Sequence, residues 1–358
     1  TALERQGVDP KHALLFFRGY NTATLLIKPD GLTSAEMDQA RAWLAECAFD
    51  LIYAPDVRPE EVNRYNRLSA PLYYQAAAGL LNALDRAAWY DDFAFDVTPP
   101  TDDHPFFGHY FKWRQAAQVL EQVGQTWQPF GGAGYFVLLV LLALALGAAL
   151  VVILLPLLAG RLTRTRPSTD SARWPTLAYF GLIGLGFLMV EIPLAQRFIL
   201  FLGQPVYGLT AVLFALLFFS GLGSLVSARL PHRVALASLV VLVLVYPFLL
   251  SGLFNLFLGA GLGLRLLVAV LALAPLGFLL GVPLPRGIDG LERRAPALIP
   301  WAWGVNGATS VVSSVAAALL ALSVGFTWVL VIGALCYAGA LLTLHLRWQD
   351  SQPLGERV

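Results

Sequence analysis

The pattern of apolar and polar residues changes near residue 134. Before that point apolar stretches are short, and after it they continue with few interruptions. We count seven runs that can cross about 30 Å of hydrocarbon as helices. They cover residues 134–158, 175–197, 205–228, 234–257, 262–283, 300–323 and 326–346. The pattern therefore predicts an α-helical polytopic membrane bundle of about seven transmembrane helices.

Basic residues collect in alternate loops between these runs. One side holds eleven of them: Arg161, Arg164, Arg166, Arg173, Arg229, Arg233, Arg286, Arg293, Arg294, Arg347 and Arg357. The other side holds only Arg197 and Arg265. Because basic loops stay in the cytoplasm, we predict a multi-pass protein of the cytoplasmic (inner) membrane. Its C-terminus and basic loops would be cytoplasmic, and the residues before the first run would be extracytoplasmic.

The residues before the first run predict a small α/β domain. Short apolar stretches at residues 13–17, 22–28 and 49–55 have the length and composition of strands. Thr33 followed by Glu36 has the capping-box pattern of a helix start. The order of strand, helix and strand indicates a sheet with a helix packed on it.

Composition supports this division of the chain. With 57% hydrophobic and 13% charged residues, and a mean hydropathy of +0.65, the 358-residue chain lies outside the range of soluble globular proteins. Residues 1–130 carry 11 basic and 17 acidic residues, and the rest of the chain carries 13 and 6. The net charge of +1 gives no reason to expect nucleic acid as a partner. The expected partners are the lipid bilayer, and other membrane proteins or further copies of this chain.

The run from Trp301 to Phe326 is rich in small and hydroxyl-bearing residues: Gly304, Gly307, Ala308, Ser310, Ser313, Ser314 and Ala317. Helices in lipid associate through close approach at small residues and through interhelical hydrogen bonds. We therefore expect these residues, with the amide of Asn306, to pack against another span. Gly181 and Gly184 in the second span predict the same role. The second hypothesis is that the polar residues form a site for a substrate or ion.

Glu191 is the only acidic residue inside a predicted span. A carboxylate at that depth must be protonated, paired or hydrated, and Pro193 predicts a kink beside it. Gln196 and Arg197 follow, but Arg197 lies six residues away and so faces a different side of a straight helix. We expect a partner on another helix, with Asn306, Arg265 or the serines from Ser310 to Ser314 as candidates. The two hypotheses are a structural clamp between helices and a transport site.

The chain has no sequence motif for a cofactor or a metal. No glycine-rich turn follows a strand, so no cofactor-binding and no catalytic residue is predicted. His104 and His109 are five residues apart, which matches no zinc signature. We expect the aromatic residues around them to pack at the membrane interface.

Five stretches together resemble the membrane-fused, spermidine-synthase-like (polyamine aminopropyltransferase-like) proteins of bacteria. They are TATLLIKP, FDLIYAPDVRPEEVNRYNRL, TPPTDDHPFFGHYFKW, GLGFLMVEIPLAQRFILFLGQPVYGLTAVLFALLFFSGLGS and PWAWGVNGATSVVSSVAAALLALSVGF. The resemblance covers most of the chain. It implies a seven-helix membrane domain joined to the C-terminal part of a Rossmann-type fold that binds S-adenosylmethionine or its decarboxylated form. In that family the nucleotide motif and catalytic acid lie upstream of the residues present here, so no catalytic residue is transferred.

These observations predict four segments: an α/β remnant at 1–115, a linker at 116–133, a membrane domain at 134–346 and a tail at 347–358. The predicted function is a non-catalytic binding or scaffolding component of a membrane complex. One alternative is the C-terminal part of an active S-adenosylmethionine-dependent aminopropyltransferase or related transferase. The other is a transporter of polyamines or similar cations.

Overall fold

The structure is a computed structural model that describes residues 2–115, 133–162 and 170–349. Its contacts divide the chain into two units, Thr1–Thr98 and Pro99–Val358. The division lies earlier than the predicted end of the α/β segment at residue 115, because Asp103 and His104 bond to helices of the second unit. Nearly all of the predicted linker and most of the predicted tail lie outside the described residues.

The first unit contains a small sheet and short helices: α1 (Ala2–Arg5), α2 (Pro10–Ala13), β1 (Leu14–Arg18), β2 (Ala23–Ile27), α3 (Ser34–Glu46), β3 (Asp50–Tyr53), α4 (Leu72–Asn82) and α5 (Arg86–Asp92). The three predicted strands and the helix between them are confirmed. The strand order is β2-β1-β3, and β1 is antiparallel to both neighbours. Strands β2 and β3 therefore run in the same direction, and α3 connects them across β1 as a split β-α-β unit.

The start of α3 follows from its sequence. The side chain of Thr33 accepts a hydrogen bond from the backbone N–H of Glu36, and the Glu36 carboxylate accepts one from the backbone N–H of Thr33. Hydrogen bonds from Lys28 and then from Thr33 lower the pKa of Glu36 to about 2. One face of the helix buries Met37 and Leu44 against the sheet. Local capping and apolar spacing thus fix this helix on the strands.

The second unit is helical: α6 (Ala133–Leu162), α7 (Asp170–Leu202), α8 (Pro205–Val226), α9 (His232–Phe257), α10 (Leu262–Leu280), α11 (Pro283–Arg294), α12 (Ile299–Val324) and α13 (Phe326–Gln349). Within the described parts of the chain, seven segments are long and apolar enough to span a membrane. They correspond to the seven predicted runs, so the prediction of a multi-pass helical membrane protein is confirmed.

Helix α7 lies at the centre of this bundle, where it contacts α8, α12 and α13. Helix α10 packs on α8, α9 packs on α13, and α6 packs on α12. The span of α7 is 61% buried, whereas that of α6 is 6% buried within the described residues. Helix α7 therefore has protein neighbours on several sides, and its polar residues are the ones best placed to form an internal site.

The two ends of the bundle differ in charge. At one end, here called the basic end, lie the short helix α11 and the loop before α9, with Arg229, Arg233, Arg286, Arg293 and Arg294. At the other end, here called the strap end, residues 99–112 contact the start of α13 and the last turns of α7 and α12. Residues 99–112 are called the strap below.

Candidate functional site

Helix α12 is joined to α7 by polar side chains within the span. Three of them donate hydrogen bonds to main-chain oxygens of α7: Asn306 to Phe180 at 3.1 Å, Ser310 to Gly184 at 3.2 Å, and Ser313 to Leu185 at 2.6 Å. Ser313 is fully buried. Because hydrocarbon offers no hydrogen-bond partners, these carbonyl oxygens satisfy the polar groups and fix the two helices in register.

Glycines of α7 allow this close approach. A Cβ built on Gly184 would lie 2.5 Å from both the carbonyl oxygen of Asn306 and the hydroxyl oxygen of Thr309, and one on Gly181 would lie 3.4 Å from the Val305 side chain. These distances show that Gly184 in particular tolerates no side chain. Gly181 and Gly184 therefore lie at the crossing of α7 and α12.

Gly304 and Gly307 were predicted to pack against another span, and the structure does not place them at such a contact. Both are exposed, and no heavy atom within the described ranges lies within 4 Å of a Cβ built on either. At about 100° of rotation per residue, Gly304 lies on the side of α12 opposite Ser313. The face of α12 that packs on α7 is therefore formed by Val305, Asn306, Thr309, Ser310 and Ser313.

Arg197 is bound at the strap end and has no contact with Glu191. Only 8% of Arg197 is exposed, and its guanidinium donates to Asp103 of the strap and to the hydroxyl of Thr327 at 2.6 Å. It also donates to the carbonyl oxygen of Pro247 at 3.4 Å. Arg197 thus joins the strap to helices α9 and α13.

Asp103 organises the other side of this contact. Its carboxylate accepts the backbone N–H of Thr327 at 2.9 Å, and its carbonyl oxygen accepts that of Phe326 at 3.0 Å. Since the first N–H groups of a helix lack partners within the helix, Asp103 caps α13. His104 donates through Nε2 to the carbonyl oxygen of Leu322 at 2.8 Å. The described parts of the chain contain no group of three His, Cys, Asp or Glu side chains that could hold a metal ion.

A cavity of about 350 Å³ opens between α7, α8, α11 and α12 in the half of the bundle nearer the basic end. Its polar lining comes from Ser220, Ser224, Asn306, Ser310 and Tyr337. Tyr337 is only 2% exposed. This volume falls in the range of small-molecule sites, about 300–1,000 Å³.

Glu191 is partly buried and, within the described ranges, makes no hydrogen bond or ion pair. Its expected partners, Asn306, Arg265 and the serines from Ser310 to Ser314, bond elsewhere. Arg265, for example, donates to the carbonyl oxygen of Phe201 at 2.9 Å. On α7 the carboxylate lies one turn beyond Phe187, which lines the cavity. Gln196 is exposed. The structure thus separates Arg197 from Glu191 and brings Asn306 and Ser310 to the cavity wall.

Sequence analysis missed two of these residues. No local signal connects Asp103 with Arg197, which lies 94 residues later. Tyr337 was not considered, although it is the only residue with an aromatic hydroxyl in the last span. A single tyrosine in an otherwise apolar span was the signal in the sequence that could have indicated a residue of the site.

The chain matches no protein-family model, no curated protein and no solved structure. Arguments about its function therefore rest on the residues themselves.

Proposed function

We propose that this chain is a binding and scaffolding component of a membrane complex and does not by itself catalyse a reaction. The observation that supports this proposal is that polar side chains inside the spans form hydrogen bonds to other parts of the bundle. Asn306, Ser310, Ser313 and Arg197 all donate to groups on other helices or the strap. Side chains engaged in this way hold helices at fixed positions, as a scaffold requires.

The proposal includes the relation of the first unit to the C-terminal part of a Rossmann-type, spermidine-synthase-like fold. The split β-α-β unit formed by β2, α3 and β3 is compatible with such an origin. Asp50, the most buried carboxylate of this unit, is 1% exposed and is occupied by three backbone N–H groups and by Arg18 at 3.6 Å. This carboxylate supports a loop, so it has a structural role.

The proposal also includes the orientation in the membrane, with the basic end cytoplasmic and the first unit extracytoplasmic. The side predicted to be extracytoplasmic has two basic residues next to its spans, Arg197 and Arg265. Both donate hydrogen bonds within the bundle. Eleven basic residues lie in the loops of the other side, and this imbalance is the one that the positive-inside rule associates with a cytoplasmic face.

Cysteine labelling in intact cells tests the orientation. Ser69→Cys and Glu292→Cys, both at exposed positions, are made separately in a Cys47→Ala, Cys336→Ala background and treated with a membrane-impermeant maleimide. We expect labelling at position 69 and none at 292 until the membrane is permeabilised. The reverse pattern would place the first unit in the cytoplasm, where S-adenosylmethionine is made, and would favour the transferase alternative.

Site-specific photocrosslinking tests the scaffold role. A photoreactive amino acid replaces Phe214 or Phe248, whose side chains are 56% and 77% exposed, and the fully buried Val212 serves as the matched control. We expect an adduct of one discrete protein mass from an exposed position and none from position 212. Lipid adducts alone at both exposed positions would contradict a role in a complex.

Transport of a polyamine or similar cation is the second candidate, and Glu191 favours it. This carboxylate has no partner among the described residues and follows the cavity along α7, where it can serve as a counter-charge. Glu191→Gln should then abolish uptake of a labelled polyamine into proteoliposomes and leave the unfolding temperature unchanged. Normal uptake by a folded variant would exclude this candidate.

A further inference from the structure

The cavity at the basic end is largely apolar, and one of its sides faces away from the bundle. Its apolar lining includes Ile183, Phe187, Leu217, Leu280 and Leu284. Leu217 is 68% exposed, and Gly221, one turn later on α8, is exposed as well. A molecule dissolved in the bilayer can therefore enter the cavity beside α8. Walls of this kind suit an apolar body such as an alkyl chain.

Hydrogen-bond donors remain in the lining after the bonds within the bundle are formed. The hydroxyl protons of Ser220 and Ser310 are donated to main-chain oxygens. One amide proton of Asn306 is donated to a main-chain oxygen of α7. The second amide proton of Asn306 and the hydroxyl protons of Ser224 and Tyr337 remain, and no described residue accepts them.

These remaining donors determine which kind of ligand fits. An oxygen with two lone pairs tolerates one of them unused, whereas a buried donor without an acceptor is rare. Neither lipid hydrocarbon nor a saturated alkyl chain can accept a hydrogen bond. A ligand that satisfies this lining must therefore bring an acceptor, and it needs no donor of its own.

The charge of the lining indicates that the acceptor is neutral. None of the described residues that line the cavity is charged. Arg286 follows the lining residue Pro285 in sequence but does not line the cavity itself. A carboxylate or phosphate buried there would lack a counter-charge, which is unfavourable in apolar surroundings. A carbonyl oxygen avoids this, since it is uncharged, carries no proton and can accept two hydrogen bonds.

From these observations we infer that the cavity binds a neutral, bilayer-soluble molecule through a carbonyl oxygen. The oxygen accepts hydrogen bonds from the donors left on Asn306, Ser224 and Tyr337, and the apolar body lies along the walls. The inference goes beyond the scaffold role. It is also separate from the transport of a cation, because a neutral ligand needs no counter-charge from Glu191.

Calorimetric titration in nanodiscs of ether-linked phosphatidylcholine, which has no ester carbonyl, tests the inference. Empty nanodiscs are subtracted to remove partitioning into lipid. The titrants are methyl hexyl ketone, octane, which has no acceptor, octylamine, whose ammonium form only donates, and octanoate, which is an anionic acceptor. We expect the ketone to bind saturably and the others at least about fivefold more weakly, as the loss of one hydrogen bond implies. Binding of any of the three as tight as that of the ketone would overturn the inference.

Infrared spectroscopy with a carbonyl-labelled ketone reports the hydrogen bond itself, because the C=O stretching frequency falls when the oxygen accepts hydrogen bonds. We expect a lower frequency for the bound ketone than for the ketone in liquid alkane. Tyr337→Phe should reverse part of this shift and weaken binding about fivefold. The matched control is Tyr246→Phe, since the hydroxyl of Tyr246 donates to Ala272 and does not line the cavity.

If Tyr337→Phe does not fold, Ser224→Ala at a half-buried lining position takes its place. A bound ketone with the frequency found in alkane would refute the inference. The same holds if the folded variant keeps both the affinity and the frequency of the unmodified chain.

Gly221→Leu tests whether the ketone occupies this cavity. No described heavy atom lies within 4 Å of a Cβ built on Gly221, so a leucine fits without a clash and fills the open side of the cavity. We expect ketone binding to weaken about tenfold. Gly252→Leu is the matched control, since its Cβ position on α9 is equally open and lies outside the lining. Equal ketone affinity of the two variants would place the ketone elsewhere and refute the assignment.

The carbonyl has two possible sources, the ester group of a bilayer lipid and a free carbonyl compound. Repeating the titration in ester-linked phosphatidylcholine distinguishes them. A lower apparent affinity for the ketone would identify the lipid ester as a competitor, and an unchanged affinity would identify a free compound. Both results support the carbonyl site.

Discussion

Asp103 and Arg197 are 94 residues apart in sequence and form an ion pair at the strap end of the bundle. The partners are unequally exposed, with 9% of the Arg197 side chain and 39% of the Asp103 side chain accessible. The same carboxylate caps α13 through the N–H of Thr327. One aspartate therefore fixes the strap to two helices at once.

Replacing Asp103 should lower the free energy of unfolding more than replacing Arg197. Asp103→Ala leaves a buried guanidinium without its counter-charge and α13 without its cap, so we expect a loss of about 2–4 kcal/mol in the free energy of unfolding. Arg197→Met leaves a carboxylate that water can reach, so the loss should be smaller. Unfolding in detergent micelles measures both, and the double variant should lose less than the sum of the two. A larger loss for Arg197→Met would contradict the burial argument.

Alanine substitutions at Gly184 and Gly307 test which glycine lies at a helix contact. Gly184→Ala places a Cβ against Asn306 and Thr309, so we expect a loss of about 1–3 kcal/mol. Gly307→Ala is the matched control, since no described atom lies near its Cβ position, and it should leave stability unchanged or raise it by up to about 1 kcal/mol, because alanine is the better helix former. Thermal unfolding in the same detergent compares the two. Equal losses would show that Gly307 also lies at a contact.

Asp50 should make the first unit sensitive to acid. Burial by itself would raise the pKa of this carboxyl, but the backbone N–H groups of Tyr65, Asn66 and Arg64 outweigh that effect and lower it below its ordinary value. A carboxyl with a lowered pKa contributes stability that is fully present above about pH 3.9 and is lost as the pH falls through the pKa of the folded state.

The difference between Asp50→Asn and the unmodified chain checks this expectation. Asp50→Asn should unfold at a lower temperature at pH 7, and the difference should shrink at pH 3. Asp30→Asn, at an exposed position in the same unit, is the control and should show no such difference. If the difference in unfolding temperature between Asp50→Asn and the unmodified chain stays constant with pH, the ionised carboxylate is not the source of the stability.

The cap of α3 gives a local prediction. Thr33→Ala removes the oxygen that accepts the N–H of Glu36, so we expect the first unit to lose about 1 kcal/mol. Ser34→Ala, one residue further into the helix, is the control and should be nearly neutral. Hydrogen exchange at the first turn of α3 measures the change. Equal protection in both variants would mean that Thr33 does not hold the helix end.

The sequence could predict features that depend on neighbouring residues. The capping pair Thr33 and Glu36 and the seven apolar runs are of this kind, and the structure confirms them. The face of α12 that packs was not predictable, because the rotation of a helix is set by its neighbours, and Gly304 and Gly307 lie away from that contact. The partner of Arg197 was not predictable either, because Asp103 lies 94 residues earlier and only the tertiary fold brings the two together.

The cap that Asp103 places on α13 has a consequence for biosynthesis. Asp103 precedes the first span, and Thr327 stands at the start of the last one. During translation this aspartate emerges long before its partner, and Arg197 arrives between them. The contact among all three can close only after the final helix has entered the bilayer, so its formation marks the completion of insertion.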